Sequence, residues 1–234
     1  MAKKELKPKS KIGQMFEKLS RTRHMWQAWN DVISLIAIMI SNTVDKGKVK
    51  DEREEEYLTI IKGYTDDEIK IITDVFSEIV LAFESNSEQD LLGDLYMELN
   101  LGSNNLGQFF TPYHLCELMS KISFKKELVE KEIEDTGYVS LNEPTCGAGA
   151  NVIAYVNECK KHDVNYQKYV RIVAQDISRL TALMCYIQLS LLGCDAIIVV
   201  GDTLRNPATE ETINIGDRNV WYTPIHQLHC YGGV

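Results

Sequence analysis

Eight consecutive residues, Glu143-Pro144-Thr145-Cys146-Gly147-Ala148-Gly149-Ala150, constrain this chain more than any other stretch of it. Before them, Tyr138-Val139-Ser140-Leu141-Asn142 alternates as a short strand does. After them, Val152-Ile153-Ala154-Tyr155-Val156 reads as the apolar face of a helix. The stretch is therefore a strand, a glycine turn and a helix. Gly147 and Gly149 carry no Cβ, so the backbone can turn sharply and come close to a ligand. The helix behind them offers N–H groups that lack intrahelical partners. Glu143 puts a carboxylate at the strand end, and no Lys follows the loop as a phosphate site would require. The arrangement suits a ligand that carries an ammonium group. On these residues alone, an ordinary strand-to-helix turn with glycines for packing is the other reading.

Two more carboxylates fall at equivalent places. Val170 to Gln175 is β-rich and ends in Asp176, Arg179 to Leu192 is a long amphipathic helix, and Ala196 to Val200 is an apolar strand followed by Gly201-Asp202. Strands and helices alternating at this spacing specify right-handed parallel βαβ units covered on both faces. Open α/β sheets bind ligands outside the carboxyl ends of their strands, where Glu143, Asp176 and Asp202 sit. An acid ending the second strand can accept hydrogen bonds from ribose hydroxyls, and one at the third can accept from an adenine amino group. Capping of the following helices is the alternative for each of them. The gap from Glu143 to Asp176 exceeds the ~20 residues of the nicotinamide fingerprint, and Ala150 replaces its third glycine, which disfavours a dehydrogenase.

The first hundred residues follow a different pattern. From Ile12 to Ser41, Met15, Phe16, Leu19, Trp26, Trp29, Ile33, Ile36, Ala37 and Ile40 recur at helical spacing, as core positions do. Asp45 to Glu56 reads as a charged loop leading into a further helix. Thr65 with Glu68 forms a capping box opening a helix to about Phe83, and Asp90 to Leu99 gives one more. The polar break Gly102-Ser103-Asn104-Asn105 divides the chain into a helical domain over 1–101 and an α/β domain over 102–234. After the break comes Gly107-Gln108-Phe109-Phe110-Thr111-Pro112, with a helix from His114 to Ile122.

Length and composition allow one large or two small domains, at 234 residues and 44% hydrophobic. The six cysteines form no C-x-x-C pair and no zinc spacing, which points to no metal and to a reducing cytoplasm. The apolar stretch from Trp26 to Ile40 is interrupted by polar residues and is shorter than the ~20 residues of a membrane span. A net charge of -9 argues against an unaided grip on nucleic acid. Locally, Lys3, Lys4, Lys7, Lys9, Lys11, Lys18, Arg21 and Arg23 outnumber Glu5 and Glu17, as in a solvated, flexible terminus or one that touches phosphate or an acidic partner.

Four segments then occur in one order: Gly107-Gln108-Phe109-Phe110-Thr111-Pro112, Glu143 to Gly149, Ala174-Gln175-Asp176-Ile177, and Gly201-Asp202-Thr203-Leu204. Together they resemble the N6-adenine-specific DNA methyltransferases, and most closely the modification subunits of type I restriction systems. The resemblance covers roughly Asp90 to Pro207. It implies a Rossmann-like S-adenosylmethionine-dependent methyltransferase sheet preceded by an all-helical domain. Its cofactor, S-adenosyl-L-methionine, would have Phe109, Thr111 and Pro112 at its methionine end. Glu143 and Gly147 would lie by its amino-acid moiety, with Cys146 and Gly149 also in the cofactor site, Asp176 on the ribose and Asp202 near the adenine.

The chain departs from this family after Asp202. The family's Asn/Asp-Pro-Pro-Tyr/Phe loop orients the target amine and stacks on a flipped base. The five prolines, Pro8, Pro112, Pro144, Pro207 and Pro224, include no Pro-Pro pair. Asn206-Pro207 follows Asp202 too closely for a parallel crossover. Asn219-Val220-Trp221-Tyr222-Thr223-Pro224 lies at a workable distance, which makes Asn219 and Tyr222 the catalytic candidates, with a plain terminal strand as the other reading. Only three or four strands of a sheet of about seven are visible, so the expected sheet is truncated, with an edge that another copy of the chain or a partner could complete. Two functions follow. One is an adenine-N6 DNA methyltransferase working on DNA with a specificity or second subunit. The other is an inactive relative that keeps the cofactor site and serves as a binding or regulatory subunit.

Overall fold

The computed structural model describes residues 10–102, 110–209, 212–213 and 216–231. Phe109, the Gly107-Gln108 pair, the polar break at 103–105 and the basic residues Lys3, Lys4, Lys7 and Lys9 fall outside these ranges.

Helix α1 (Lys11–Leu19) is capped by Ser10, whose Oγ accepts from the Gly13 N–H at 3.0 Å. Helix α2 (Met25–Ser41) starts afresh after it, so the run expected from Ile12 to Ser41 is two helices. The five residues between them are polar, and the N–H groups of Ser20, Arg21 and Thr22 close on the last carbonyls of α1. Helix α3 (Gly47–Ile61) takes in most of the stretch expected to be a charged loop. The charges are compatible with a helix because they divide between faces: Lys48 and Glu52 pair in solvent at 3.3 Å, whereas Arg53 is buried.

Helix α4 (Asp66–Ser85) opens with the expected capping box, in which Glu68 Oε2 accepts from the Thr65 N–H at 2.9 Å. Hydrogen bonds from the Thr22 hydroxyl first, and then from the Thr65 N–H, hold the Glu68 carboxyl down to about 2. A carboxyl lowered on folding adds stability above its ordinary range, and that stability is lost as pH falls through the folded value. Glu68→Ala is therefore expected to cost up to about 1 kcal/mol near neutrality and progressively less from about pH 5 to about pH 2, as read by urea unfolding across that range.

Helix α5 (Leu91–Glu98) is capped by Asp90, and α6 (Tyr113–Ser123) and α7 (Lys126–Thr136) lead to the sheet. Gly137 ends α7 in the left-handed region at φ 89°, the usual way for a glycine to stop a helix. Then follow β1 (Val139–Glu143), α8 (Ala150–Lys161), the short α9 (Tyr166–Tyr169), β2 (Val170–Asp176), α10 (Arg179–Leu191), β3 (Asp195–Val200), β4 (Val220–Tyr222) and α11 (Pro224–Tyr231).

The chain is thus mixed α/β, and the strand order among the described residues is β1-β2-β3-β4. The first three strands are parallel, with Glu143 beside Ala174 and Asp176 beside Val200. The last runs antiparallel, with Val199 beside Val220. Cover on both faces holds for β2 from Ile172 to Gln175 and for β3, but not for the edge strand β1, whose Ser140 and Asn142 are exposed. On it, the Ser140 N–H donates to Glu132 Oε1 of α7 at 3.3 Å.

Helix α10 is buried along nearly its whole length and packs on α2 as well as on β2 and β3. One hydrophobic cluster accordingly runs from Ile12 through the helices to Trp221 on β4, joining the two halves of the sequence. Arg53 closes the join. Its guanidinium pairs with buried Asp45, donates to the carbonyls of Val220 (2.8 Å) and Arg218 (3.2 Å), and lies 3.6 Å over the Trp221 ring. Beside it Glu56 accepts from both Arg179 (2.8 Å) and Arg218 (2.7 Å). No helix among the described residues is long and apolar enough to cross a membrane.

Candidate functional site

The turn between β1 and α8 is held to the end of β2 through its backbone. The Cys146 N–H donates to the Gln175 carbonyl at 2.8 Å, and the Gly147 N–H donates to Asp176 Oδ2 at 2.9 Å. Gly147 has φ 53° and Gly149 has φ 100°, both in the region glycine occupies without steric cost. Behind Gly149 the space is also taken, since a Cβ there would lie 3.0 Å from Cys185 Sγ.

The carbonyl of Ala148 is held from inside the protein. Gln188 Nε2 donates to it at 2.7 Å and to Asp90 Oδ1 at 2.8 Å, while Gln188 Oε1 accepts from the Leu92 N–H at 3.0 Å. Burial pushes the Asp90 carboxyl above its usual range. Every member of this buried network leans on Gln188. Gln188→Leu is expected to destabilise the fold by about 2 kcal/mol and to raise the rate of proteolytic cleavage in the glycine loop; urea unfolding and limited proteolysis read the two effects.

A ladder of rings reaches the same loop from the N-terminal helices. Phe16 packs on Trp29 with centroids 4.8 Å apart, Trp29 meets Tyr96 edge-on at 6.1 Å, and Tyr96 meets Phe110 at 5.3 Å. Phe110 then lies so close to Gly147 that a Cβ on that glycine would be 3.2 Å from its ring. The helical half of the chain thereby sets one wall of the site.

Between these walls is a cavity of about 380 Å³, reached by Phe110, Thr111, residues 145–148, Asn151, Asp176 and Ile177. Among its described lining residues Asp176 is the one charged side chain. Three protein donors already engage that carboxylate: the Gly147 N–H at Oδ2, and the Ser178 N–H (2.8 Å) and Thr181 hydroxyl (2.9 Å) at Oδ1. A carboxylate has about four acceptor directions, so Oδ2 retains one for a ligand hydroxyl. The thiols in the cavity wall are neutral. Hydrogen bonding with Cys185, then burial, push Cys146 well up, and burial pushes Cys116 up to about 11.

Of the residues singled out in the sequence, Thr111, Cys146, Gly147 and Asp176 converge on this cavity. Pro112 is the cap position of α6, and Gly149 is the cap position of α8. Glu143 turns toward a neighbouring cavity of about 230 Å³ that it shares with Asn151, whose amide donates to Glu143 Oε2 at 3.2 Å. Asp202 is engaged in its own turn: Oδ1 accepts from the Leu204 N–H at 3.0 Å, and Oδ2 faces Arg205 at 3.5 Å.

Asn219 and Tyr222 do not line the glycine-loop cavity. Because β4 is antiparallel, its start lies at the carboxyl end of β3, where Asn219 shares a separate cavity of about 490 Å³ with Gln175, Arg205 and Asn206. Tyr222 lies further toward the other end, its ring stacked on His226 at 5.3 Å. Sequence reasoning missed Phe110, Asn151, Ser178, Thr181 and Ile177. For Ile177 a sequence signal existed, its place directly after the strand-end acid; the structure shows it 72% exposed.

The family model described as N-6 DNA Methylase matches residues 87–221, more than half of the chain, from just before α5 to the middle of β4. No curated protein matches the chain.

Proposed function

The chain belongs to the N-6 DNA methylase family, and on that premise we propose that it binds S-adenosylmethionine in the glycine-loop cavity and serves methyl transfer to adenine N6 in DNA. The observation that carries this reading is the charge of the cavity: Asp176 faces it and no described Lys or Arg lines it, which suits a ligand with a positive charge and ribose hydroxyls better than a polyphosphate. When bound, the cofactor supplies a methyl group on a sulfonium. Asp176 Oδ2 would accept from a ribose hydroxyl, the exposed Ile177 would lie toward the adenine, and Phe110 and Thr111 would bound the methionine end. Catalysis by such a site is orientation of amine and sulfonium, with no strong base required.

A type I arrangement, with a specificity subunit supplying the hold on DNA, fits the net charge of -9. The separation of Asn219 and Tyr222 from the glycine loop favours a second reading, in which this chain binds the cofactor and another subunit completes the catalytic loop.

One experiment separates them. Tritiated S-adenosylmethionine and unmethylated DNA are incubated with the protein, and cofactor binding is measured by calorimetry in the same preparation. Incorporation at adenine, lost in Asn219→Ala with binding retained, gives the amide a role in recognising the base. Binding without incorporation supports the second reading. Asp176→Ala is expected to weaken binding about tenfold, the scale of one charge-assisted hydrogen bond. Absence of any binding by the unaltered protein would sink both readings.

A further inference from the structure

A second group of reactive side chains lies far from the glycine loop in the fold, at the opposite end of β3. Asp195, the first residue of that strand, is nearly buried and receives two imidazoles from α11: His226 Nδ1 at 2.6 Å on Oδ1 and His229 Nδ1 at 2.7 Å on Oδ2. Burial alone would push this carboxyl up, but the two imidazole partners outweigh it and bring it below the usual carboxylate range. An ionised carboxylate only accepts, so both Nδ1 atoms carry their protons. In a neutral imidazole this leaves Nε2 as the acceptor. On His226 that Nε2 stands 3.4 Å from Cys230 Sγ, one helical turn along α11. The ring is held from its face as well, by Tyr222 of β4. Among the described residues, the titratable groups that meet the ring are Asp195, Tyr222 and Cys230, and His229 and the buried thiol of Cys194 lie by Asp195.

The geometry points to Cys230 as an activated thiol, with His226 as its base and Asp195 as the residue that orients that base, forming a modification site for low-molecular-weight disulfides. The other five thiols, of Cys116, Cys146, Cys159, Cys185 and Cys194, are buried, and Cys230 is exposed. In the reaction the Cys230 proton passes to His226 Nε2, and the thiolate attacks one sulfur of the incoming disulfide. A new S–S bond forms as the old one breaks, and the other half leaves as a thiolate, so the disulfide itself is the oxidant. The Asp195 carboxylate stabilises the imidazolium that results, as the acid does in a nucleophile–histidine–acid triad. His229 holds the other oxygen of the carboxylate, so its role is to fix α11 on β3.

Oxidised glutathione with the folded, full-length protein at about pH 7 tests this, with intact-mass and peptide-mass readout. The expected result is a single glutathione adduct, mapped to Cys230 and absent in Cys230→Ser. Its rate should fall about tenfold in His226→Gln, the net of lost thiolate and gained nucleophilicity. In His229→Gln it should change less than about twofold, although that variant removes an equivalent anchor of the helix. An adduct elsewhere, an unchanged or increased rate in His226→Gln, or equal effects of the two histidine variants would overturn the assignment.

Discussion

Arg53→Met is expected to lower the stability of the whole chain by about 3–5 kcal/mol, because it removes one member of a buried ion pair and leaves the other unpaired. Asp45 has Arg53 as its partner and lies almost out of solvent; the same substitution also strips the donors from the Val220 and Arg218 carbonyls and the cation from the Trp221 face. Methionine keeps the apolar volume, so the loss reports charge and hydrogen bonding more than packing. The double variant Asp45→Leu with Arg53→Met should recover most of it, since a buried pair replaced whole by apolar residues is often close to neutral. Urea unfolding of the three proteins measures the cycle. Additive losses in the double variant would show that Arg53 acts through its carbonyl contacts and its ring, not through Asp45.

The second large effect is on the ligand. Gly147→Arg is expected to weaken S-adenosylmethionine binding by at least about a hundredfold in calorimetry, roughly 2.7 kcal/mol. Three causes act together. An L-residue at φ 53° is strained, its Cβ would crowd the Phe110 ring at 3.2 Å, and a guanidinium in the cavity repels a sulfonium. Gly147→Ala carries the first two causes alone and should lose less. Equal affinity in the unaltered protein and the arginine variant would place the ligand elsewhere.

The strands and the glycine loop were legible in the sequence because their signals are local: period-two alternation, two glycines in a tight turn, and an acid where a strand stops. Gly147 and Asp176 could be picked out for that reason, Thr111 and Cys146 through the family resemblance, and the four share one cavity. What was not legible depends on distant pairing. Nothing near Asn219 states that its strand will pair with β3 on the far side of the sheet from β1, and that strand order is what separates it from the glycine loop. Phe110 is marked out by contacts distant in sequence, the Tyr96 ring it meets and the Gly147 backbone it lies against. The Asp45 to Glu56 stretch looked like a loop because its charges are dense. Its helical logic appears once Arg53 is seen to face Trp221, far along the chain.

The edge of β1 bears on how the chain meets other molecules. A strand without a neighbour is a template on which copies of a protein can pile up, and proteins commonly guard it with charge. Here the guard is Glu132, whose carboxylate occupies the Ser140 N–H. Any incoming strand must first displace that carboxylate. Accidental stacking of copies, as in a precipitate, thus meets a charged obstacle, and a legitimate partner strand needs enough contacts of its own to push it aside.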